Sequence, residues 1–302
     1  MKSIQYSIVD VFAQRKYTGN QLAVFKDAGR LSDKEMQQMA KEINFSETTF
    51  ITSASAKGEY NVRIFTPNEE VPFAGHPTLG TAYVIREELE EKGTEELILH
   101  YKAGPTPVTY DEQKDVLWMT QGQPTFGKVL DKKQVADVLN LDEVYIDTRF
   151  PVQEVSTGLP VILVPLTSLE AAKEINVDKE KYFKLIENTE AKAIMVFSPE
   201  TYHQDHHLNV RDFADYYGVP EDAATGSANG CLAATGSANG CLAAYLVKYR
   251  YFNQQAIDIR VEQGYEIGRH SLLYVKASYD GEAFQIQVGG KVEMIARGEW
   301  IL

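Results

Sequence analysis

VPEDAATGSANGCLAATGSANGCLAAY, residues 219–245, is the stretch on which the reading of this chain turns. Its acidic pair Glu221-Asp222 runs into small residues with Gly and Ser, and then into an Ala- and Leu-rich segment that reads as a helix. The first N–H groups of such a helix have no partner within it, and with the helix dipole behind them they form a site for an anion. The stretch also repeats itself, since AATGSANGCL at 223–232 recurs letter for letter at 233–242. Ten extra residues in an α-helix add about 15 Å and turn the downstream residues by about 1000°, leaving their buried face roughly 80° out of register. A packed helix does not absorb that change. The expectation is that only one copy packs as helix, with Ser227 of the first copy near the site, and that the second copy is looped out or the molecule carries the segment once.

Composition narrows the class. The 302 residues are 44% hydrophobic and 24% charged, enough length for two modest domains of a soluble globular protein. Lys and Arg number 30 against 43 Asp and Glu, and the net charge of -13 argues against nucleic acid or an anionic membrane as a partner. MKSIQYSIVDVFA alternates like a strand, and no run approaches the roughly 18 apolar residues of a membrane span, so a cytoplasmic protein is expected. Cys231 and Cys241 are one position in two copies, which excludes a disulfide framework and a thiolate metal site.

Along the chain, residues 4–12 and 21–26 alternate like strands around the turn Tyr17-Thr18-Gly19-Asn20. Ser32 and Glu35 form a capping box for a helix to Ile43 that presents Met36, Met39, Ala40 and Ile43 on one face. Asn44 to Ile51 turns into a β-branched strand, and 59–66 is another. In Val71-Pro72-Phe73-Ala74-Gly75-His76-Pro77-Thr78-Leu79-Gly80, Pro77 suits the first position of a helix running to about Lys92 and closed by Gly93. Strands follow at 95–101, 106–110 and 115–120. The second half replays the first: Thr18-Gly19 leads to Leu22–Phe25 as Thr157-Gly158 leads to Val161–Val164. Arg63-Ile64-Phe65 also stands nine residues before Pro72, as Arg211-Asp212-Phe213 stands nine before Pro220. This implies two similar domains, 1–120 and 121–302, with a boundary near Gln121 to Pro124 and each small-residue helix aimed at the cleft between them. The first domain's helix spans about 15 residues from Thr78; the second would span about 23 from Ser227 with both copies helical and about 13 with one.

A few residues invite chemistry. Glu47 sits at a turn between an amphipathic helix and a strand, with Phe45 and Phe50 beside it. Such a Glu is ordinarily a surface group, but apolar flanks would desolvate it and raise its pKa toward acid/base use. His76 follows Gly75 at a helix start that favours a neutral imidazole, and is either a site residue or a structural cap. Asp222 before the second helix has the same two readings, and Gly226 and Ser227 offer N–H and hydroxyl donors to a carboxylate. His203, His206 and His207 in YHQDHH suggest metal, but no acidic or histidine partner recurs at helical spacing and no metal site is expected. Cys231 reads as a small core residue.

GNQLAVF at 19–25, NFSETTF at 44–50, RIFTP at 63–67 with EVPFAGHPTLGTA at 70–82, EDAATGSANGCL at 221–232 and QGYEIGRHS at 263–271 together carry a resemblance over essentially the whole chain. The chain resembles the phenazine-biosynthesis PhzF-like isomerases. The resemblance implies an α+β fold like that of diaminopimelate epimerase, with two pseudo-symmetric domains, each a curved, mostly antiparallel sheet around a central helix, and the last strands crossing back to the first domain. It implies a cofactor-independent isomerase that shifts a proton between carbons of a small carboxylate substrate, working as a homodimer without metal. Glu47 matches the family's acid/base, and His76 and Asp222 its other catalytic positions; Asn20, Ser46, Gly75, Gly226 and Ser227 match substrate-binding positions. The chain departs from the family pattern at Gln21, Ala223 and His270, where Pro is common. The site falls on the first copy because Asp222 stands five residues before Ser227, whereas Leu232 stands five before Ser237. Related epimerases use two cysteines, but Ala74 stands beside Gly75 here, which disfavours a two-thiol racemase. A non-enzymatic ligand-binding protein on the same fold is the alternative, and it would keep both helix starts without needing Glu47 protonatable near neutral pH.

Overall fold

The computed structural model describes residues 3–91, 94–224 and 238–302. The first half threads β1 (Ser3–Val11), β2 (Asn20–Phe25), α1 (Asp33–Ile43), β3 (Glu47–Ala56), β4 (Glu59–Phe65), the two-residue β5 (Glu70–Val71), α2 (Gly75–Glu88), β6 (Glu96–Tyr101), β7 (Gly104–Asp111) and β8 (Val116–Thr120). The chain continues through β9 (Thr125–Val129), α3 (Lys132–Leu139), β10 (Gln153–Ser156), β11 (Pro160–Pro165), α4 (Leu169–Glu174), α5 (Lys179–Ile186), β12 (Ala193–Ser198), β13 (Leu208–Ala214) and β14 (Val219–Asp222). It ends with α6 (Ala238–Lys248), β15 (Ala256–Gln263), β16 (Ser271–Tyr279), β17 (Phe284–Gly290) and β18 (Val292–Ile301).

Strand pairing repeats. In the first half β1 pairs β2 antiparallel, β2 pairs β3 parallel, β3 pairs β4 antiparallel, β4 pairs β6 parallel, and β6, β7 and β8 follow antiparallel. Strands β10 to β17 run through the same series, with parallel pairs at β11–β12 and β13–β15. β5 lies on β4 as β14 lies on β13, and each precedes one of the helices α2 and α6. β8 joins β17, while β18 returns to pair with β1 as β9 pairs with β10. The class is α+β, dominated by a mixed, mostly antiparallel sheet.

The repeat extends to side chains. On β4, Arg63 forks onto the Glu70 carboxylate of β5 at 2.8 and 2.6 Å, its guanidinium 5.1 Å from the Phe65 ring centre. On β13, Arg211 forks onto Glu221 of β14 at 2.9 and 2.7 Å, 4.9 Å from the Phe213 ring centre. A planar guanidinium that meets a carboxylate with two parallel bonds fixes the short strand against the long one.

Helix α1 begins as expected, with both hydrogen bonds of the Ser32–Glu35 capping box formed and Asn44 in the left-handed conformation closing it. Met36, Met39 and Ala40 pack with Phe25, Phe50 and Phe65 on the outer face of the first half's strands. Helix α2 is buried on nearly all sides. Gly80 permits its close approach, since a Cβ there would stand 2.6 Å from Leu22 Cδ2 and 2.8 Å from Val11 Cγ2. The helix starts at Gly75 rather than Pro77 and stops at Glu88, while Lys92 and Gly93 lie outside the described residues. Pro77 is tolerated inside it because the first four N–H groups of a helix lack internal acceptors anyway.

The structure corrects one part of the expectation for the tandem repeat, that the second copy is looped out. Ala238 to Leu242, in the second copy, form the first half of α6 and are buried; the first copy beyond Ala224 lies outside the described residues. The register of α6 is set by its anchored downstream residues. Cys241 Sγ accepts from the Thr157 N–H at 3.3 Å, and Tyr245 donates to the Pro151 carbonyl at 2.6 Å. Whichever copy adjoins Ala243 continues that packed face.

Candidate active site

Glu47, His76, Asn20 and Asp222 come together from four separate elements. Glu47 opens β3, Asn20 opens β2, His76 is the second residue of α2 and Asp222 ends β14. Glu47 and His76 are each 1% exposed. His76 Nε2 stands 3.4 Å from Glu47 Oε2, a contact without hydrogen-bond alignment, and Nε2 has no hydrogen-bond partner among the described residues. Asn20 links the group through one carboxamide. Its Nδ2 donates to Asp222 Oδ1 at 2.9 Å and to the Ala224 carbonyl at 3.2 Å, lies 3.4 Å from His76 Nδ1, and its Oδ1 accepts from Ser46 Oγ at 3.5 Å.

The source of Glu47's burial differs from the one expected. Side chains alternate along a strand, so Glu47 and Phe50 point to opposite faces. Phe45 and Phe50 pack on the α1 side. Glu47 shares its face with Thr49, whose Oγ1 accepts from Thr81 of α2 at 2.9 Å, so α2 covers the carboxyl. Burial pushes Glu47 from its ordinary 4.5 up to about 8, opposed by the hydrogen bond with Ser46 and aided by the Asp222 charge. Burial also holds His76 down at about 3, opposed by a backbone contact with Gln21. At neutral pH both facing groups are therefore uncharged.

Gly75 and His76 supply the first amides of α2, and the helix has no side-chain cap at Ala74. That leaves a helix start suited to a carboxylate beside the Glu47–His76 pair. Of the expected site residues, Gly226 and Ser227 lie outside the described residues. The structure gives contacts to residues that in the sequence stand only as letters of a motif or of the repeat. Gln263 Nε2 donates to the Asp222 carbonyl at 3.1 Å, Asn239 Nδ2 donates to Gln263 Oε1 at 3.0 Å, and Ser271 Oγ donates to the Ala223 carbonyl at 2.8 Å. Each contact joins distant segments and buttresses the site, and nothing in local sequence signals it.

The histidines of YHQDHH are occupied elsewhere. His206 Nδ1 lies 2.7 Å from Glu262 Oε1, the Tyr202 and His203 N–H groups donate to the same carboxylate, and His207 Nδ1 accepts from the Arg260 N–H at 3.1 Å. Among the described residues no group of three or more His, Cys, Asp or Glu is placed to hold a metal ion. Cys241 is buried, and burial pushes its thiol up to about 11, which makes it a poor nucleophile. No helix among the described residues is long and apolar enough to cross a membrane.

A family model described as phenazine biosynthesis-like protein matches residues 9–234 and 233–298, breaking where the second copy of the repeat begins. Trans-2,3-dihydro-3-hydroxyanthranilate isomerase of Pseudomonas aeruginosa is 33% identical over 300 residues, covering 97% of this chain and 98% of its own. An uncharacterized isomerase of Clostridium acetobutylicum is 30% identical over 305 residues, covering 97% of both. The crystal structure of a PhzF-family phenazine biosynthesis protein of Bacillus anthracis aligns over 100% of both chains with a TM-score of 0.87 at 28% identity. A probable proline racemase of Agrobacterium radiobacter, at 12% identity, aligns over 99% of this chain and 93% of its own with a TM-score of 0.63 and shares the fold alone.

Proposed function

This chain belongs to the phenazine biosynthesis-like protein family and is an isomerase, and from that premise we propose that it moves a proton between carbons of a small carboxylate-bearing substrate, with Glu47 as the acid/base. The observation that carries this reading is the pair itself: a carboxyl 1% exposed, with a pKa of about 8, set 3.4 Å from a neutral imidazole. A general base works best with a pKa near the working pH, and burial has moved Glu47 there.

The ionised Glu47 takes a proton from one substrate carbon, and the electron pair left behind spreads into the adjoining unsaturated system. The resulting carboxylic acid returns the proton at a second carbon as that pair is drawn back. Protons and electrons balance, and no further reactant enters. The amides of Gly75 and His76 receive the substrate carboxylate, and the neutral His76 Nε2 faces the reacting region without adding charge. Asn20 holds Asp222 in place opposite. We propose further that residues 1–120 and 121–302 act as two domains that close on the substrate, because proton transfer to carbon needs water excluded.

Trans-2,3-dihydro-3-hydroxyanthranilate, the substrate named for the Pseudomonas aeruginosa relative, is the first compound to test. In D₂O the wild type incorporates deuterium during turnover, and Glu47→Gln binds the substrate without exchange. Unchanged exchange in the variant removes Glu47 from the role.

A further inference from the structure

The turn between β1 and β2 delivers Asn20 to the site, and its shape is held from the other half of the chain. Arg269, in the loop between β15 and β16, donates from Nε to the Gly19 carbonyl at 2.9 Å. From Nη2 it donates to the Thr18 carbonyl at 3.0 Å and to Asp10 Oδ1 at 2.9 Å. Asp10 is 2% exposed, and its other oxygen accepts from the Tyr17 N–H at 2.7 Å. The Gly19 N–H in turn donates to the His270 carbonyl at 3.0 Å.

The turn needs that grip. Tyr17 has φ 68° and Gly19 φ 71°, and a left-handed tyrosine is disfavoured on its own. A Cβ on Gly19 would stand 2.3 Å from the Val11 carbonyl. The next residue is Asn20, whose single carboxamide reaches Asp222, Ala224 and the His76 ring. A small rotation of the turn swings that carboxamide away from all of them.

We infer that Arg269 is a positioning residue for the proton transfer: its guanidinium fixes the 17–19 turn so that Asn20 holds Asp222 and meets His76 on one carboxamide. The inference rests on the proposed isomerase chemistry at Glu47. Lysine cannot replace the guanidinium, because an ammonium is a point donor and lacks the planar fork that spans two carbonyls and a carboxylate.

The test compares wild type, Arg269→Ala and Arg269→Lys, with folding checked by circular dichroism and thermal melting. One readout is the solvent exchange of the Asn20 carboxamide protons by NMR, assigned through their loss in Asn20→Asp. The other is turnover of trans-2,3-dihydro-3-hydroxyanthranilate in D₂O. In folded Arg269→Ala the carboxamide exchanges faster, and kcat falls on the order of 100-fold, the scale of an ångström's misplacement, while KM moves little. Guanidinium added at a sub-denaturing concentration restores both. If Arg269→Ala does not fold, Arg269→Lys decides on the same readouts, with intermediate losses expected. Wild-type carboxamide exchange in a folded variant overturns the inference. Absence of turnover in the wild type counts against the proposed isomerase chemistry instead, and the carboxamide readout still decides for Arg269.

Discussion

Glu47→Gln should make the protein more stable as it abolishes exchange, and the gain should grow with pH. In the folded state the Glu47 carboxyl keeps its proton up to about pH 8, whereas in the unfolded chain it releases it near the ordinary 4.5. Between those values the unfolded state binds fewer protons than the folded one, so each rise in pH favours unfolding. At about 1.4 kcal/mol per pH unit, the loss builds to roughly 5 kcal/mol by pH 8, a large share of the 5–15 kcal/mol typical of a domain. Glutamine has nearly the same shape and does not ionise, so the variant escapes this loss, apart from a constant offset for its amide donors. His76 acts at the other end. Its pKa of about 3 against an ordinary 6.5 lowers stability as pH falls from 6.5 towards 3, and does so equally in both proteins. Urea denaturation of both proteins from about pH 5 to 8 measures the difference. The expected result is a stability gap widening by about 1.4 kcal/mol per pH unit. Parallel curves would refute the burial argument for Glu47.

Exchange of substrate protons should rise with pH through a midpoint near 8, because the carboxylate form of Glu47 is the base; a flat profile across that range excludes it. Gly80→Ala should lose about 1–3 kcal/mol by forcing a methyl against Leu22 and Val11, read as a lower thermal midpoint, and an unchanged midpoint shows that α2 has room. On binding a carboxylate ligand, residues 44–48, 73–78 and 221–224 should gain protection from hydrogen exchange together, and protection of one segment alone argues against a shared cleft. An intact mass near 33.9 kDa shows that both copies of the repeat are present, and a mass lighter by ten residues shows that the molecule has one.

What the amino acids disclose in advance is local. Ser32 and Glu35 name the start of α1, and the recurring Arg-Xaa-Phe before Val-Pro marks a topology that repeats strand by strand. Glu47, His76, Asp222 and Asn20 are all legible as site candidates. The reason for Glu47's burial is not, because its neighbours in sequence point to the opposite face and its true cover, α2, arrives from about thirty residues on. Helices α3, α4 and α5 escape notice because the first half offers no helical twin for them beyond α1. Arg269 and Gln263 stand in QGYEIGRHS, but their contacts are invisible there: a hydrogen bond such as that from Arg269 to Gly19, across 250 residues, leaves no periodicity. Spacing to Asp222 cannot choose the copy that packs, since the register of α6 comes from Tyr245 and its neighbours downstream.

The pairing of Ser3 with Ile301 and of Val11 with Val292 sets an order on how the molecule comes into being. During synthesis β1 has one flank completed by β2 within a few residues, but its other flank stays bare until β18 has been made. Contacts so far apart in sequence form slowly, and an exposed strand edge recruits other chains meanwhile. A nascent or prematurely ended chain that stops before Val292 therefore presents β1 as an open template, and its fate is association with its own kind rather than service as a shorter catalyst.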